Sequence, residues 1–326
     1  MFSFSLATLR PAKNELSCLA VHDHLAEIAP MKKLLKTLYT HTPFKRELFL
    51  FLRYCWKPSP SLYKHLYFTG IFTVPVTPQV SFRIKHYGFL IENEIFWEGL
   101  NGGWEKVSLG LWIKLCQKAD VVVDIGANTG VYSLVAKALN KNSVVYALEP
   151  VKRVFEKLCE NNVLNHYDIH CLPIAASDST GKAVIYDTAD EHTYSVTVNK
   201  NLNPETEGLF VTEIETTTLD DLIEKEKLTK IYLIKIDVET HEVEVMRGFQ
   251  RHIRHFKPTL LIEILTDEVG AKVQQLLEGL GYLYFNIHEV NGVKQVEHIT
   301  KSNYYNYLIC TPAVASDLGL ILNTTA

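Results

Sequence analysis

Residues 121–130 read VVVDIGANTG, and this stretch predicts the fold of the whole chain. A run of valines that ends in an acid, Asp124, is typical of a buried strand that leads into a loop. Gly126 lets the chain turn and lets a ligand approach the backbone, and Gly130 permits tight packing where a helix begins. The stretch therefore predicts a ligand-binding loop at the carboxyl end of a parallel strand.

The loop residues also predict the charge of the ligand. The amides of the first helical turn after the loop attract an anion, and Asn128 or Thr129 is expected to cap that helix. A dinucleotide loop would have three glycines spaced GxGxxG, whereas this loop has Gly126, Asn128 and Gly130 behind Asp124. An acid beside a pyrophosphate would be repelled, but it suits a cation. S-adenosylmethionine carries a carboxylate, an ammonium and a sulfonium, so the loop favours this cofactor over NAD, with an NAD-dependent oxidoreductase as the alternative.

Strands and helices alternate outward from this loop. This alternation predicts an α/β fold with a parallel sheet covered by helices on both faces. The stretch 181–218 departs from it and is predicted to be a hairpin insertion or a cap. The turn at Asn291-Gly292 indicates an antiparallel hairpin near the end of the chain. The predicted strands are 121–126, 143–149, 169–177, 230–237 and 258–265, and the predicted helices are 109–118, 131–139, 152–163, 219–227, 241–253 and 267–280.

The N-terminal region is predicted to be a separate extension. Helical patterns occur at residues 45–56 and 61–68, and the alternation of Phe82 and Ile84 within residues 81–97 indicates half-buried strands that lead into the main domain. The predicted organisation is an N-terminal helical and hairpin extension (1–80), a main domain (81–315) and a C-terminal tail (316–326).

Composition excludes several classes of protein. The chain has 326 residues, 47% of them hydrophobic, which is enough for a globular core. Its 33 basic and 37 acidic residues are spread along the chain, so no basic field indicates nucleic-acid binding. Six scattered cysteines without a CxxC pair signal neither zinc nor disulfides, and no apolar run approaches the roughly 20 residues of a membrane span. These observations predict a soluble, cytoplasmic protein; the oligomeric state is not predicted.

Polar residues at the ends of the next two predicted strands support an adenosine ligand. Glu149 lies about 20 residues after the glycine loop, where an acid accepts both hydroxyls of a ribose. Ser177 and Asp178 follow the third strand, where an adenine amino group can be recognised. The predicted cofactor-binding residues around the loop are Asp124, Gly126, Ala127, Asn128 and Gly130, joined by Glu149, Ser177 and Asp178.

These motifs resemble the FkbM family of S-adenosylmethionine-dependent methyltransferases over about residues 90–310. The likeness is carried by VVVDIGANTGVYS, ALEPVKRVFEKLCENN, AASDSTGKA, TTLDDLI and LIKIDVETHEVEVMRG. Thr240 stands in the last motif where the family commonly has glycine. The resemblance implies a class I (Rossmann-like) methyltransferase fold, with a seven-stranded, mostly parallel sheet whose last strand is antiparallel, and usually an oxygen acceptor. It also implies that the aromatic-acid pair Trp104 and Glu105 lies near the cofactor; the alternative is a packing tryptophan with a solvated acid.

The segment LIKIDVETHE carries the candidate catalytic residues. Lys235, Asp237 and Glu239 share one face of a strand, and Asp237 is the best candidate for binding the methionine ammonium or for activating the acceptor. His241 is a candidate base, or alternatively a surface or capping residue. Glu239 and Glu242 are alternatively acids of a first helical turn, where they favour the helix dipole.

A divalent metal and the acceptor side remain open. Asp237, Glu239 and Glu263 could together hold magnesium, but no ligand spacing requires it and no metal is predicted. His192 and Tyr194 are acceptor-side candidates by location alone. The predicted function is O-methylation of a small molecule or of a sugar in a glycan or glycolipid. A non-catalytic binding protein, with the aromatic region 45–72 as its contact face, is a further alternative.

Overall fold

The structure is a computed structural model that describes residues 43–188 and 209–321. The chain divides into two compact units, Met1–Lys57 and Pro58–Ala326. In the described part of the first unit, residues 45–55 form helix α1 (Lys45–Cys55), as predicted. No helix in the described ranges is both long enough and apolar enough to cross a membrane.

The second unit alternates helices and strands. Its helices are α2 (Pro60–Tyr63), α3 (Leu90–Glu98), α4 (Lys106–Cys116), α5 (Val131–Leu139), α6 (Lys152–Leu164), α7 (Leu219–Glu226), α8 (Glu242–Arg247), α9 (Ile253–Phe256), α10 (Asp267–Leu277) and α11 (Pro312–Asp317). Its strands are β1 (Gly70–Pro75), β2 (Ser81–His86), β3 (Val121–Ile125), β4 (Val144–Leu148), β5 (His170–Leu172), β6 (Ile174–Ala176), β7 (Gly181–Thr188), β8 (Leu209–Thr217), β9 (Leu233–Ile236), β10 (Thr259–Glu263), β11 (Leu283–His288), β12 (Gly292–Val296) and β13 (Asn306–Cys310).

The large sheet has the order β12-β11-β13-β10-β9-β3-β4-β5 among the described residues. The neighbours β10, β9, β3, β4 and β5 are parallel, whereas β13 is antiparallel to both β10 and β11. The α/β class and the antiparallel last strand are confirmed. The sheet has eight strands rather than the predicted seven, because the hairpin at Gly292 (φ 91°) adds β12 at the edge.

Chain order reverses beside β3, which places the functional loops together. The chain moves from β3 to β4 and β5 on one side, while β9 and β10 lie on the other. Strands β9 and β13 are buried along their whole length, and the central strands β3, β4 and β10 are mostly buried apolar residues because helices cover a parallel sheet. In such a sheet, ligands bind beyond the carboxyl ends of the strands at the point of reversal.

The predicted third strand, 169–177, is two strands in different sheets. Residues 170–172 pair with β4, but residues 174–176 pair with β8 in a separate three-stranded sheet, in the order β6-β8-β7. Pro173 lies between them, and proline cannot donate to a ladder of hydrogen bonds. The predicted hairpin of 181–218 is confirmed by the antiparallel pair β7 and β8.

Three other predictions of local structure were wrong. Residues 90–98 form a helix rather than a strand, and β2 pairs instead with β1. The helix predicted at 61–68 is only the four-residue α2. The helix predicted at 241–253 is interrupted after α8, where a Cβ on Gly248 would lie 2.0 Å from the Ser177 carbonyl oxygen. The hairpin of β1 and β2 spans the predicted boundary at residue 80, and the three domain limits stay a prediction.

Candidate functional site

A cleft opens at the carboxyl ends of β3, β4, β9 and β10. Its lining includes most of the residues predicted from the sequence: Glu105, Asp124, Gly126, Ala127, Asn128, Glu149, Asp237, Glu239 and His241. Gly130, Ser177 and Asp178 are not among the lining residues. The fold therefore brings together residues that are up to 136 positions apart in the sequence, from Glu105 to His241.

The glycine loop packs against the end of β9. Gly126 has φ 75°, and a Cβ there would lie 1.8 Å from the Asp237 carbonyl oxygen, so only glycine fits. Gly130 has φ 93°, and its Cβ would lie 2.6 Å from Leu158. Both glycines therefore serve close packing, as the sequence predicted for Gly130.

Asp124 caps helix α5 from the end of β3. Its Oδ2 accepts hydrogen bonds from the Ser133 amide (3.0 Å) and the Ser133 hydroxyl (2.6 Å). The prediction that Asn128 or Thr129 caps this helix was wrong: the N-cap is Gly130, and the Asn128 side chain accepts instead from the Thr129 amide at 2.7 Å. Burial raises the pKa of Asp124 to about 6. Asp124 thus orients the helix whose first residues, Val131 and Tyr132, line the cleft.

Glu149 holds the glycine loop to the loop that follows β4. Its Oε2 accepts from the Asn128 amide at 3.0 Å, and its Oε1 accepts from the Val151 amide at 2.9 Å. Each oxygen keeps a second lone pair, and the side chain lines the cleft. Burial raises the pKa of Glu149 to about 7. The two carboxylate oxygens of Glu149 are therefore held in place as a pair of hydrogen-bond acceptors.

The side of the cleft formed by β6 is apolar. Ala175 and Ala176 line it, whereas the Ser177 hydroxyl lies 3.0 Å from His241 Nε2 and Asp178 is exposed to solvent. Neither residue lines the cleft, and the recognition of an adenine by Ser177 and Asp178 stays a prediction. His241 itself lines the cleft, and burial lowers its pKa, so its ring is neutral near pH 7.

Glu105 is held by two residues that sequence reasoning missed. Its carboxylate accepts from the Tyr132 hydroxyl and, at 2.8 Å, from Asn306 Nδ2 on β13. Trp104 lines the cleft and packs edge-on against Tyr132, with ring centroids 6.0 Å apart. The position of Glu105 in the cleft agrees with the resemblance rather than with the alternative of a solvated acid. No local signal pointed to Asn306, which lies 201 residues away.

Three carboxylates surround one buried lysine, and we call Glu105, Asp237, Glu263 and Lys235 the carboxylate cluster. Lys235 is 1% exposed, and its Nζ lies 3.1 Å from Asp237 Oδ2. Burial alone would lower the pKa of Lys235, but the carboxylates of Asp237, Glu105 and Glu263 raise it above the usual value. Burial and the charge of Asp237 raise the pKa of Glu263, despite Lys235. The carboxylates thus keep Lys235 charged, while burial raises the pKa of Glu105 as well as that of Glu263.

The turn after β9 is strained. Glu239 and Thr240 both have positive φ, 53° and 76°, a region that favours glycine. Glu242 closes the turn: it is fully buried, and its Oε1 accepts from the amides of Val238 (3.4 Å) and Thr240 (3.3 Å). Glu242 is therefore a structural residue of the turn, at the start of α8, and it does not line the cleft.

Replacing Thr240 with glycine is expected to stabilise the protein by about 1 kcal/mol. Glycine adopts φ 76° without strain, and the change removes the buried Thr240 hydroxyl, which has no hydrogen-bond partner. Urea unfolding measures the effect. The matched control is Thr240→Ala, which removes the hydroxyl but keeps the strained Cβ and should gain less. A loss of stability in the glycine variant would contradict the strain argument.

Stability without ligand is expected to fall as pH rises from about 5 to 8. The pKa of Glu149 is raised to about 7 and that of Asp124 to about 6, above their ordinary values, so the folded state binds more protons than the unfolded state in this range. The contribution of Glu149 is on the order of 3 kcal/mol. Urea unfolding at about pH 5 and pH 8 measures whether the free energy of unfolding falls. The Glu149→Gln variant should show a clearly weaker dependence of this free energy on pH. An equal dependence in the two proteins would refute the assignment to Glu149.

No metal ligand set is present in residues 43–188 and 209–321: no three His, Cys, Asp or Glu side chains lie close enough to hold an ion. Asp237, Glu239 and Glu263 therefore do not form the magnesium site considered from the sequence. His192 and Tyr194 lie outside the described residues.

Residues 124–284 match the family described as Methyltransferase FkbM domain. The chain is 27% identical over 209 residues to the hexuronic acid methyltransferase AglP of Haloferax volcanii, covering 64% of this chain and 82% of that protein. It is 25% identical over 180 residues to Methyltransferase 1 of Beauveria bassiana, covering 49% and 71% of the two chains. The predicted resemblance is confirmed over a narrower span than residues 90–310.

Among solved structures, the chain is similar to a methyltransferase FkbM of Methylobacillus flagellatus. Identity is 18% and the TM-score is 0.35; the match covers 59% of this chain and only 43% of that one.

Proposed function

We propose that this chain, which carries an FkbM methyltransferase domain over residues 124–284, transfers a methyl group from S-adenosylmethionine to a hydroxyl of a sugar or another small molecule. One observation carries the proposal: a single cleft contains a fixed pair of acceptors on Glu149, the start of helix α5, and the carboxylate cluster. These features suit, in turn, the ribose hydroxyls, the carboxylate and the cationic groups of this donor.

The described residues offer a partner for each part of the donor. The free lone pairs of Glu149 are available to ribose hydroxyls, and the amides after Gly130 are available to a carboxylate. Ala175 and Ala176 provide an apolar surface for an adenine ring. The ammonium and sulfonium groups suit Asp124 and the carboxylate cluster, because opposite charges attract strongly in a partly dry cleft.

Catalysis requires that the acceptor hydroxyl be aligned with the methyl group and that the hydroxyl proton be removed. S-adenosylmethionine supplies an activated methyl group when bound, so positioning of the acceptor provides much of the rate. Asp237 is the proposed proton acceptor, because its carboxylate lines the cleft and is oriented by Lys235. His241 is the second candidate, since its neutral ring can accept a proton, and Glu239 lines the same part of the site.

The preference for a sugar rests on the relative from Haloferax volcanii, whose name states that it methylates a hexuronic acid. The proposal that the methyl group goes to an oxygen rests on the family resemblance and on the carboxylates at the site, which can take up the hydroxyl proton. The cytoplasmic location stays a prediction from the sequence.

Calorimetric titration with S-adenosylmethionine and with NAD tests the proposal. S-adenosylmethionine is expected to bind at micromolar concentration and NAD not to bind. Transfer of label from methyl-labelled S-adenosylmethionine into glycan or metabolite extracts then tests the reaction itself. Binding of NAD alone would contradict the proposal, and binding of neither would favour a non-catalytic role.

A further inference from the structure

We infer that helix α1 (Lys45–Cys55) binds the surface of an anionic lipid bilayer, with its outer side at the boundary between headgroups and acyl chains. The inference concerns the first compact unit alone and does not depend on the proposed methyl transfer. It gives a role to the aromatic N-terminal region, which the proposed function leaves unused.

Helix α1 exposes an apolar stripe to solvent, and we call Phe44, Leu48, Phe51 and Cys55 the outer stripe. An α-helix has 3.6 residues per turn, so positions 48, 51 and 55 lie along one side, and Phe44 immediately precedes the first turn. Phe44 is 78% exposed, Leu48 51% and Phe51 68%, and the Cys55 thiol is exposed as well, whereas Phe49 is buried. Neighbouring exposed apolar side chains of this size mark an interaction surface.

Two amphipathic aromatic residues lie beside the outer stripe. Tyr54 is 89% exposed in the last turn of α1, and Trp56, which follows the helix as its C-cap residue, is exposed too. Tyrosine and tryptophan combine an apolar ring with one polar group, and they are enriched where acyl chains meet headgroups. The outer side of α1 therefore has the composition of a helix at a membrane–water interface.

The charge of this region is opposite to that of the whole chain. Residues 44–57 contain four basic residues and one acid, whereas the chain has a formal net charge of −4. The acid, Glu47, is paired with Arg46 at 2.9 Å. Lys45, Arg46 and Arg53 are half-buried and lie off the outer stripe, and Lys57 follows the helix. An apolar side opposite a side with lysine and arginine is the pattern of interfacial helices, and anionic headgroups attract these cations.

The length and the charge of α1 decide how it binds. With 11 residues the helix is about 17 Å long, too short to cross a hydrocarbon core of about 30 Å, so it lies along the surface. In a symmetric dimer, the same patch of two chains would meet, and the basic residues of one copy would face those of the other. Like charges repel, so an anionic bilayer fits this surface better than a second copy of the chain.

Flotation of the full chain with lipid vesicles tests the inference. One set of vesicles contains phosphatidylcholine alone, and the other contains equal amounts of phosphatidylcholine and phosphatidylglycerol. The affinity for the anionic vesicles is expected to be at least about tenfold higher than for the neutral ones, and to fall as added salt screens the charges.

Two pairs of matched variants locate the binding surface. Phe51→Glu should lower the affinity for anionic vesicles at least about tenfold, because a carboxylate then enters the apolar boundary. Its control, Val290→Glu, places the same charge at a valine that is 67% exposed in the turn between β11 and β12, and should leave the affinity unchanged. Lys57→Gln should lower the affinity for anionic vesicles about fivefold and leave that for neutral vesicles unchanged. The control Lys118→Gln removes the same charge from another exposed lysine and should change neither affinity.

Circular dichroism and the midpoint of urea unfolding show whether each variant is folded, so a loss of binding is not mistaken for a loss of structure. Absence of binding to both kinds of vesicle, or equal binding to both, would overturn the inference. A dimer in light scattering that Phe51→Glu dissociates would also overturn it, because the outer stripe would then pack on a second copy of the chain. None of these outcomes bears on the proposed methyl transfer, since binding of S-adenosylmethionine is measured without lipid.

Discussion

Replacing Glu149 with alanine is expected to weaken binding of S-adenosylmethionine by about a hundredfold or more. Glu149 is the group proposed to accept two ribose hydroxyls, and hydrogen bonds to a charged acceptor are worth about 1.5–3 kcal/mol each. The change also leaves the amides of Asn128 and Val151 without their acceptor, so the glycine loop loses its tie to the loop after β4. Calorimetric titration at pH 8, where the carboxylate is ionised, measures the loss.

Two variants separate ligand binding from folding in this experiment. Glu149→Gln keeps the shape of the side chain, but its NH₂ group cannot accept, so it should lose at least about tenfold in affinity while remaining folded by circular dichroism. Glu156→Ala removes an exposed acid from the following helix, α6, and should leave affinity unchanged. Retention of full affinity by Glu149→Ala would contradict the assigned ribose site.

The parallel part of the sheet could be predicted from the sequence because its signals are local. The valines of β3 end at Asp124, and the first helix after the loop begins at Val131, as predicted. Prediction failed where a distant partner decides the local structure. Residues 90–98 form a helix because their own apolar residues, such as Ile91 and Ile95, recur at helical spacing, whereas the alternation of Phe82 and Ile84 belongs to β2 alone. The Trp97 indole donates to the Leu66 carbonyl at 2.9 Å. Pro173, by contrast, was a local signal for the break between β5 and β6 that alternation of apolar residues concealed.

In the candidate site, too, residues with a local sequence signal were predictable and residues that depend on distant partners were not. Glu149 was predictable because the distance from a glycine loop to the end of the next strand is set by one helix and two short connections. The role of Ser133 as the partner of Asp124, and the support of Glu105 by Asn306, depend on side-chain direction across separate elements. Periodicity does not encode that direction. The positive φ of Thr240 agrees with the glycine that the resemblance leads one to expect at this position, so the turn keeps its shape in spite of the substitution.

Replacing Asp237 with asparagine is expected to lower kcat for methyl transfer by about 10² to 10⁴, because the proposed proton acceptor is lost. Binding of S-adenosylmethionine at pH 8 should change by no more than about tenfold, since Asp124, whose pKa is about 6, still provides negative charge in the cleft. Lys235 should also remain charged, because Glu105 and Glu263 raise its pKa together with Asp237.

The separation of kcat from donor affinity is what identifies Asp237 as a proton acceptor rather than as a binding group alone. Single-turnover rates at saturating donor, measured for Asp237→Asn and for the surface control Glu268→Gln, give the comparison. A variant that keeps kcat within a factor of about three but loses donor affinity would assign Asp237 to the donor's ammonium instead, and would leave neutral His241 as the base, because its ring faces the same cleft and can accept a proton.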